Sequence, residues 1–183
     1  MNIFHEIYAS SYILLGFISL FATMGLSLLF NAFYEKKWYK RICCGAFIGY
    51  FLVVFCHTVL LRTSAAEPYG IIFIPFNSLK YAFQGNEEGF RTCFMNMLLF
   101  YPFGCLFFAI NKIKKRKGII YFCIGLLISL IIETLQYVFN LGLAEADDLI
   151  FNTLGVVIAY YLCALSERII TDVKIYLRKN KGK

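Results

Sequence analysis

The sequence predicts an all-α integral membrane protein of about five transmembrane helices, with the N-terminus outside and the C-terminus in the cytoplasm. Three observations predict it. Sixty per cent of the residues are hydrophobic and 19% are aromatic. The hydrophobic residues come in blocks of about 17–22, the length at which an α-helix crosses a bilayer. Fifteen of the 18 Lys and Arg residues fall in the links after blocks one and three and in the C-terminal tail. Links rich in Lys and Arg stay cytoplasmic, which fixes the orientation.

The elements follow in order. A first span is expected over residues 12–33 and carries nothing ionisable. No basic stretch precedes it and no small-residue cleavage site follows it, so it is expected to be retained rather than removed as a signal peptide. The link YEKKWYKR has four basic residues, with Trp38 and Tyr39 suited to the headgroup layer. A second span covers residues 42–61 and ends at Arg62. Residues 63–91 are apolar in their middle but broken by Pro68, Gly70 and Pro75, and are expected to lie along the membrane surface or dip into it.

A third span, residues 92–110, contains Pro102 and Gly104, where a kink is expected. The link NKIKKRKG has five basic residues and no acid. Residues 118–140 form a fourth span and residues 149–165 a fifth. In the tail, Ile169, Ile170, Val173, Tyr176 and Leu177 recur at helical spacing among lysines and arginines. That pattern predicts a cytoplasmic amphipathic helix on anionic lipid. Three regions result: an N-terminal helix with its basic link (1–41), a four-helix membrane core (42–165) and a basic amphipathic tail (166–183).

The +7 net charge is accounted for by orientation, so no nucleic-acid partner is expected. The seven cysteines show no ligand-type pairing and lie mostly in apolar runs, where Cys acts as a small hydrophobe. Neither a metal nor another cofactor is expected, although an enzyme reading leaves room for a divalent metal on the acidic link (Glu145, Asp147, Asp148) with Glu133. The sequence has no HExxH, nucleophile elbow or Cys–His arrangement.

The chain is organised around residues 129–155. Ser129, Glu133, Gln136 and Asn140 share one face of the fourth span, and Asp148, Asn152 and Gly155 share one face of the fifth. An acidic loop (Glu145, Asp147, Asp148) joins them. A carboxylate at membrane depth is costly, so by default it marks function. At 1.5 Å per residue Glu133 lies about 22 Å from the cytoplasmic end of its span. His57 lies at a similar height on the second span. Asn96 and Asn152 sit roughly 6 Å deep from the outside. Arg62, Asp147 and Asp148 cap the outer ends. The economical consequence is one polar pocket open to the outside.

These residues also resemble a family. The string NMLLFYPFG (residues 96–104), the pattern Ser129-x3-Glu133-x2-Gln136, the acidic link and the pattern Asp148-x3-Asn152-x2-Gly155 resemble VanZ-like membrane proteins. Arg62 and the Pro75-Phe76 pair also fit, and the similarity covers residues 53–162. Two positions depart from the family pattern. Ile72 stands where the family often has Asn, and Glu145 replaces the first Asp of an Asp-x-x-Asp link, with Asp147 as a third acid. The resemblance implies a multi-pass protein of the bacterial cell membrane, with membrane lipids around it. The founding member is linked to low-level resistance to teicoplanin, a lipid-bearing glycopeptide.

Three functions remain open. The first is binding of an amphiphile, a glycopeptide or a lipid-linked cell-wall precursor, by Arg62, Asn96, Glu133, Gln136, Glu145, Asp148 and Asn152. The second is an enzyme acting on a lipid or wall precursor, with Glu133 as general acid or base and Asp148 as second carboxylate. The third is a scaffold whose polar cluster only assembles helices.

Overall fold

A computed structural model of the chain describes residues 37–60, 70–110 and 118–181. It is predominantly helical. The expected first span, Arg62 and the second basic link lie outside the described residues. Helix α1 (Lys37–Phe55) runs into a π-helical turn (Cys56–Leu60). A short strand β1 (Gly70–Ile72) and the two-turn helix α2 (Asn77–Phe83) follow. The long helices α3 (Glu87–Ile110) and α4 (Gly118–Val138) come next. Strand β2 (Leu143–Glu145) leads into α5 (Ala146–Lys181).

Four helices among the described residues are long and apolar enough to cross a membrane. They leave large apolar side chains exposed, including Ile48, Leu52 and Val53 on α1 and Leu127 and Leu130 on α4. Contiguous apolar surface of that kind is rare on a soluble monomer, and a bilayer accommodates it.

Helices α3 and α5 form the spine. They run parallel, with Asn96 bonded to Asp148 near their starts and the Cys105 and Cys163 sulfurs 3.7 Å apart further along. Two glycines bring the backbones into contact. A Cβ on Gly104 would lie 2.5 Å from the Val156 carbonyl oxygen, and one on Gly155 would collide with the Met97 carbonyl. Between apolar helices in lipid, close backbone approach through small residues supplies the packing that water would otherwise drive.

Helix α4 lies antiparallel to α5, with Gly125 against Val156 and Thr153. Helix α1 packs on α3 through rings around the fully buried Phe103, where Phe47, Tyr50, Phe51 and Phe100 meet. The Tyr50 hydroxyl donates to the Leu99 carbonyl at 2.8 Å. That carbonyl is next to the Leu98 carbonyl, which Pro102 leaves without its helical donor. Helix α3 continues through Pro102.

Four expectations are corrected. The chain is not purely helical, because β1 and β2 pair in parallel with Gly70, Ile71 and Ile72 opposite Leu143, Ala144 and Glu145. The tail is not a separate helix. Helix α5 runs 36 residues without a break, about 54 Å at 1.5 Å per residue. Asp147 and Asp148 stand in the first turn of α5, not in a loop, and the fourth span ends earlier than expected. Asn140 leaves the helix at φ 53° and is exposed, so it does not extend the face of Gln136.

Replacing Gly155 by Val forces α3 and α5 apart and is expected to cost about 1–3 kcal/mol or more. Gly45→Ala, where an added Cβ meets nothing within 4 Å, is expected to be neutral. Thermal unfolding of the two purified variants in one detergent checks the difference.

Candidate functional site

At one end of the bundle α1 and α4 finish and α3 and α5 begin, and the buried polar side chains collect there. On α4, Ser129, Glu133 and Gln136 are buried at one face, as their i, i+4, i+7 spacing requires. That face meets α5. The Asn152 side-chain nitrogen Nδ2 donates to Ser129 Oγ at 2.9 Å, with both residues buried. The two helices run in opposite directions. One turn beyond this bond on α4 and one turn before it on α5 therefore reach the same level, about 6 Å nearer the polar end. Glu133 and Asp148 occupy those positions, and packed helix axes lie about 8–10 Å apart.

Asp148 also joins α5 to α3, since Asn96 Nδ2 donates to its Oδ1 at 2.5 Å. Gln136 ties α4 to α1: its Nε2 donates to the Thr58 carbonyl at 3.0 Å. Thr58 lies in the π-helical turn, where its own hydroxyl donates back to the Val54 carbonyl at 2.8 Å. A carbonyl can only accept, so the Gln136 amide must present its nitrogen there. Its oxygen Oε1 is buried without a hydrogen-bond partner among the described residues, as are Asn152 Oδ1 and Thr153 Oγ1. Both amides thus spend a nitrogen on the protein, leaving two amide oxygens that can only accept and the Thr153 hydroxyl, which can donate or accept.

Of the residues the sequence singles out, the structure brings Asn96, Glu133, Gln136, Asp148 and Asn152 to this end. Glu145 stands one residue before α5, at the end of β2 opposite Ile72, and is half-buried. His57, exposed in the π-helical turn, does not join the buried cluster. Arg62 lies outside the described residues. No group of three or more His, Cys, Asp or Glu that could hold a metal occurs among the described residues.

The residue that sequence reasoning undervalued is Asp147. It is 1% exposed, and its two carboxylate oxygens accept from the Phe76 and Ser78 backbone N–H groups at 2.5 and 2.6 Å. Phe76 sits before α2 at φ 61° with no side chain able to cap the helix. Asp147 supplies that cap from α5, next to the β1–β2 pair. Helix α2 in turn seats on α3 at Gly89, where an added Cβ would collide with the Ser78 carbonyl. Residues 70–86 are therefore fastened at the polar end. The Pro75-Phe76 pair was the available signal, but backbone donors leave no pattern in sequence.

Residues 47–167 match the model of the VanZ/LLP1 family. The chain is also similar to Protein VanZ of Enterococcus faecium, with 32% identity over 87 residues. That match covers 47% of this chain and 52% of the relative, so the chain spans about half the length of the curated relative it matches. No solved structure matches the chain.

Asp147→Ala leaves two backbone N–H groups without an acceptor, at about 1–3 kcal/mol each. The expected outcome is release of the α2 segment, seen as faster proteolysis within residues 70–86, while the α3–α5 contact persists. Asn96→Ala is expected to leave that segment protected.

Proposed function

The chain belongs to the VanZ/LLP1 family, and from that membership we propose that it modulates resistance to teicoplanin-type glycopeptides by binding an amphiphilic ligand at the polar end of its bundle. The ligand is the lipid-bearing antibiotic or a lipid-linked cell-wall precursor. The distribution of Lys and Arg supports an orientation in which the polar end faces outward and the C-terminus lies in the cytoplasm. The wall and the antibiotic are on that outer side.

One observation carries the reading. Ser129, Glu133 and Gln136 on one helix and Asp148 and Asn152 on its neighbour gather at one end, beside buried oxygens of Gln136, Asn152 and Thr153 that have no hydrogen-bond partner among the described residues. An unmatched buried acceptor costs about 1–3 kcal/mol, and pure packing glue would have no reason to retain several. Hydroxyl and amide N–H groups are the complementary donors, and sugar and peptide supply both. The apolar helix faces around the cluster suit the chain of an amphiphile. Arg62, which follows α1 in sequence, would hold an anionic group.

A second reading has its own support. Glu133 and Asp148 stand at one level on adjacent antiparallel helices, the arrangement required of a carboxylate pair acting as general acid and base. On this reading the protein is an enzyme that modifies a lipid or a lipid-linked wall precursor.

Teicoplanin susceptibility of a sensitive Gram-positive host tests the proposal. The wild type is expected to protect and Glu133→Gln to lose most of the protection at equal membrane abundance. Equal protection by both would leave Glu133 a packing residue, and protection by neither would remove this activity from the chain.

A further inference from the structure

The family match ends at residue 167, but α5 continues to Lys181. About 20 residues suffice to cross the hydrocarbon layer, which brings the span from Ala146 to the neighbourhood of Ser166. The charged residues Glu167 and Arg168 follow at once. Beyond them Ile169, Val173, Tyr176 and Leu177 are each at least half exposed. At 100° per residue, these four and Ile170 fill an arc about 120° wide, the width of a face that packs against something.

One edge of that face is cationic, and at the other Asp172 stands nearest, with basic residues behind it. Lys174 and Lys181 border one side by the same helical count, and Arg168 and Lys179 lie beyond the other. Residues 166–183 hold six basic residues against Glu167 and Asp172. Long basic side chains can bury their stems beside an apolar strip and keep their charges at headgroup level. An apolar face with flanking lysines and arginines, next to a transmembrane helix, matches an anionic lipid surface.

We propose that residues 166–181 form a docking helix for anionic phospholipid on the leaflet opposite the polar end. Contact with lipid requires the helix, continuous in this structure, to tilt or bend where the span ends. Ser166 Oγ donates to the Leu162 carbonyl at 2.9 Å and Thr171 Oγ1 to the Glu167 carbonyl at 2.8 Å. Back-bonding of this type loosens and bends helices, and the two bonds bracket the boundary. The headgroup contact would hold the inner end of α5, the helix that carries Asp148 and Asn152 at its outer end.

The full chain in nanodiscs tests this without reference to the glycopeptide proposal or to membrane orientation, because both leaflets then have one composition. Trypsin cleavage after Arg168, Lys174, Arg178 and Lys179 would be followed in phosphatidylcholine discs and in discs containing roughly one-third phosphatidylglycerol. Cleavage is expected to slow at least about tenfold in the anionic discs and to recover at about 0.5 M salt. Val173→Glu/Leu177→Glu, both at exposed positions, is expected to abolish the protection without changing the thermal midpoint of the bundle. Equal cleavage in both lipids would overturn the proposal. So would equal protection in both, which would mean that another polypeptide, such as a second copy of this chain, covers the face.

Discussion

The backbone contact between α3 and α5 is the constraint on which the other positions depend. In lipid there is no solvent to drive apolar helices together, so their approach rests on shape. Gly104 and Gly155 let the two helices meet at their carbonyls, one beside Val156 and the other beside Met97. That fixes a single register. Asn96 then reaches Asp148, and the α5 face carrying Asn152 turns toward Ser129. Helix α4 uses Gly125 to seat against α5, and α1 closes the other side through the rings around Phe103.

The polar groups at the end of this assembly fall into two kinds. Asp147 is fully used: both oxygens accept backbone N–H groups, and it fastens α2. Nothing more is needed to explain a buried carboxylate that does so. Gln136 and Asn152 are different. Each gives its amide nitrogen to the protein and keeps an oxygen without a hydrogen-bond partner among the described residues. A group selected only to join helices would be satisfied at both ends, because an unmatched acceptor weakens the fold it serves. This contrast within one cluster is the ground for proposing Gln136 and Asn152, and not Asp147, as ligand contacts.

Much of this was legible in the sequence because it follows from helical periodicity. The spacing of Ser129, Glu133 and Gln136 and that of Asp148, Asn152 and Gly155 placed two polar faces, and span depth placed Asn96 level with them. What periodicity does not encode was missed. Asp147 binds backbone groups of a segment about 70 residues away, and those groups are the same whatever their side chains. Strands of three residues are too short to show alternation, so the Gly70–Ile72 and Leu143–Glu145 pairing was unforeseen. Asn140 fits the helical count but lies past the helix end, in a left-handed turn. The tail pattern is helical in the structure as its spacing requires. Its fusion to the span was not foreseen, since the composition changes there while the backbone does not.

On the proposed function, the Ser129–Asn152 level is part of a binding site and more than helix packing. Calorimetric titration of teicoplanin into the purified full chain in nanodiscs tests it most directly, with Ser129→Ala/Asn152→Leu alongside. Removing both partners of a buried hydrogen bond together is nearly neutral for stability, so the variant should keep its thermal midpoint. The wild type is expected to bind saturably and the folded variant at least about tenfold more weakly, the loss of one buried polar contact. Equal affinity in a variant of unchanged stability would contradict it, and the cluster would then be packing alone.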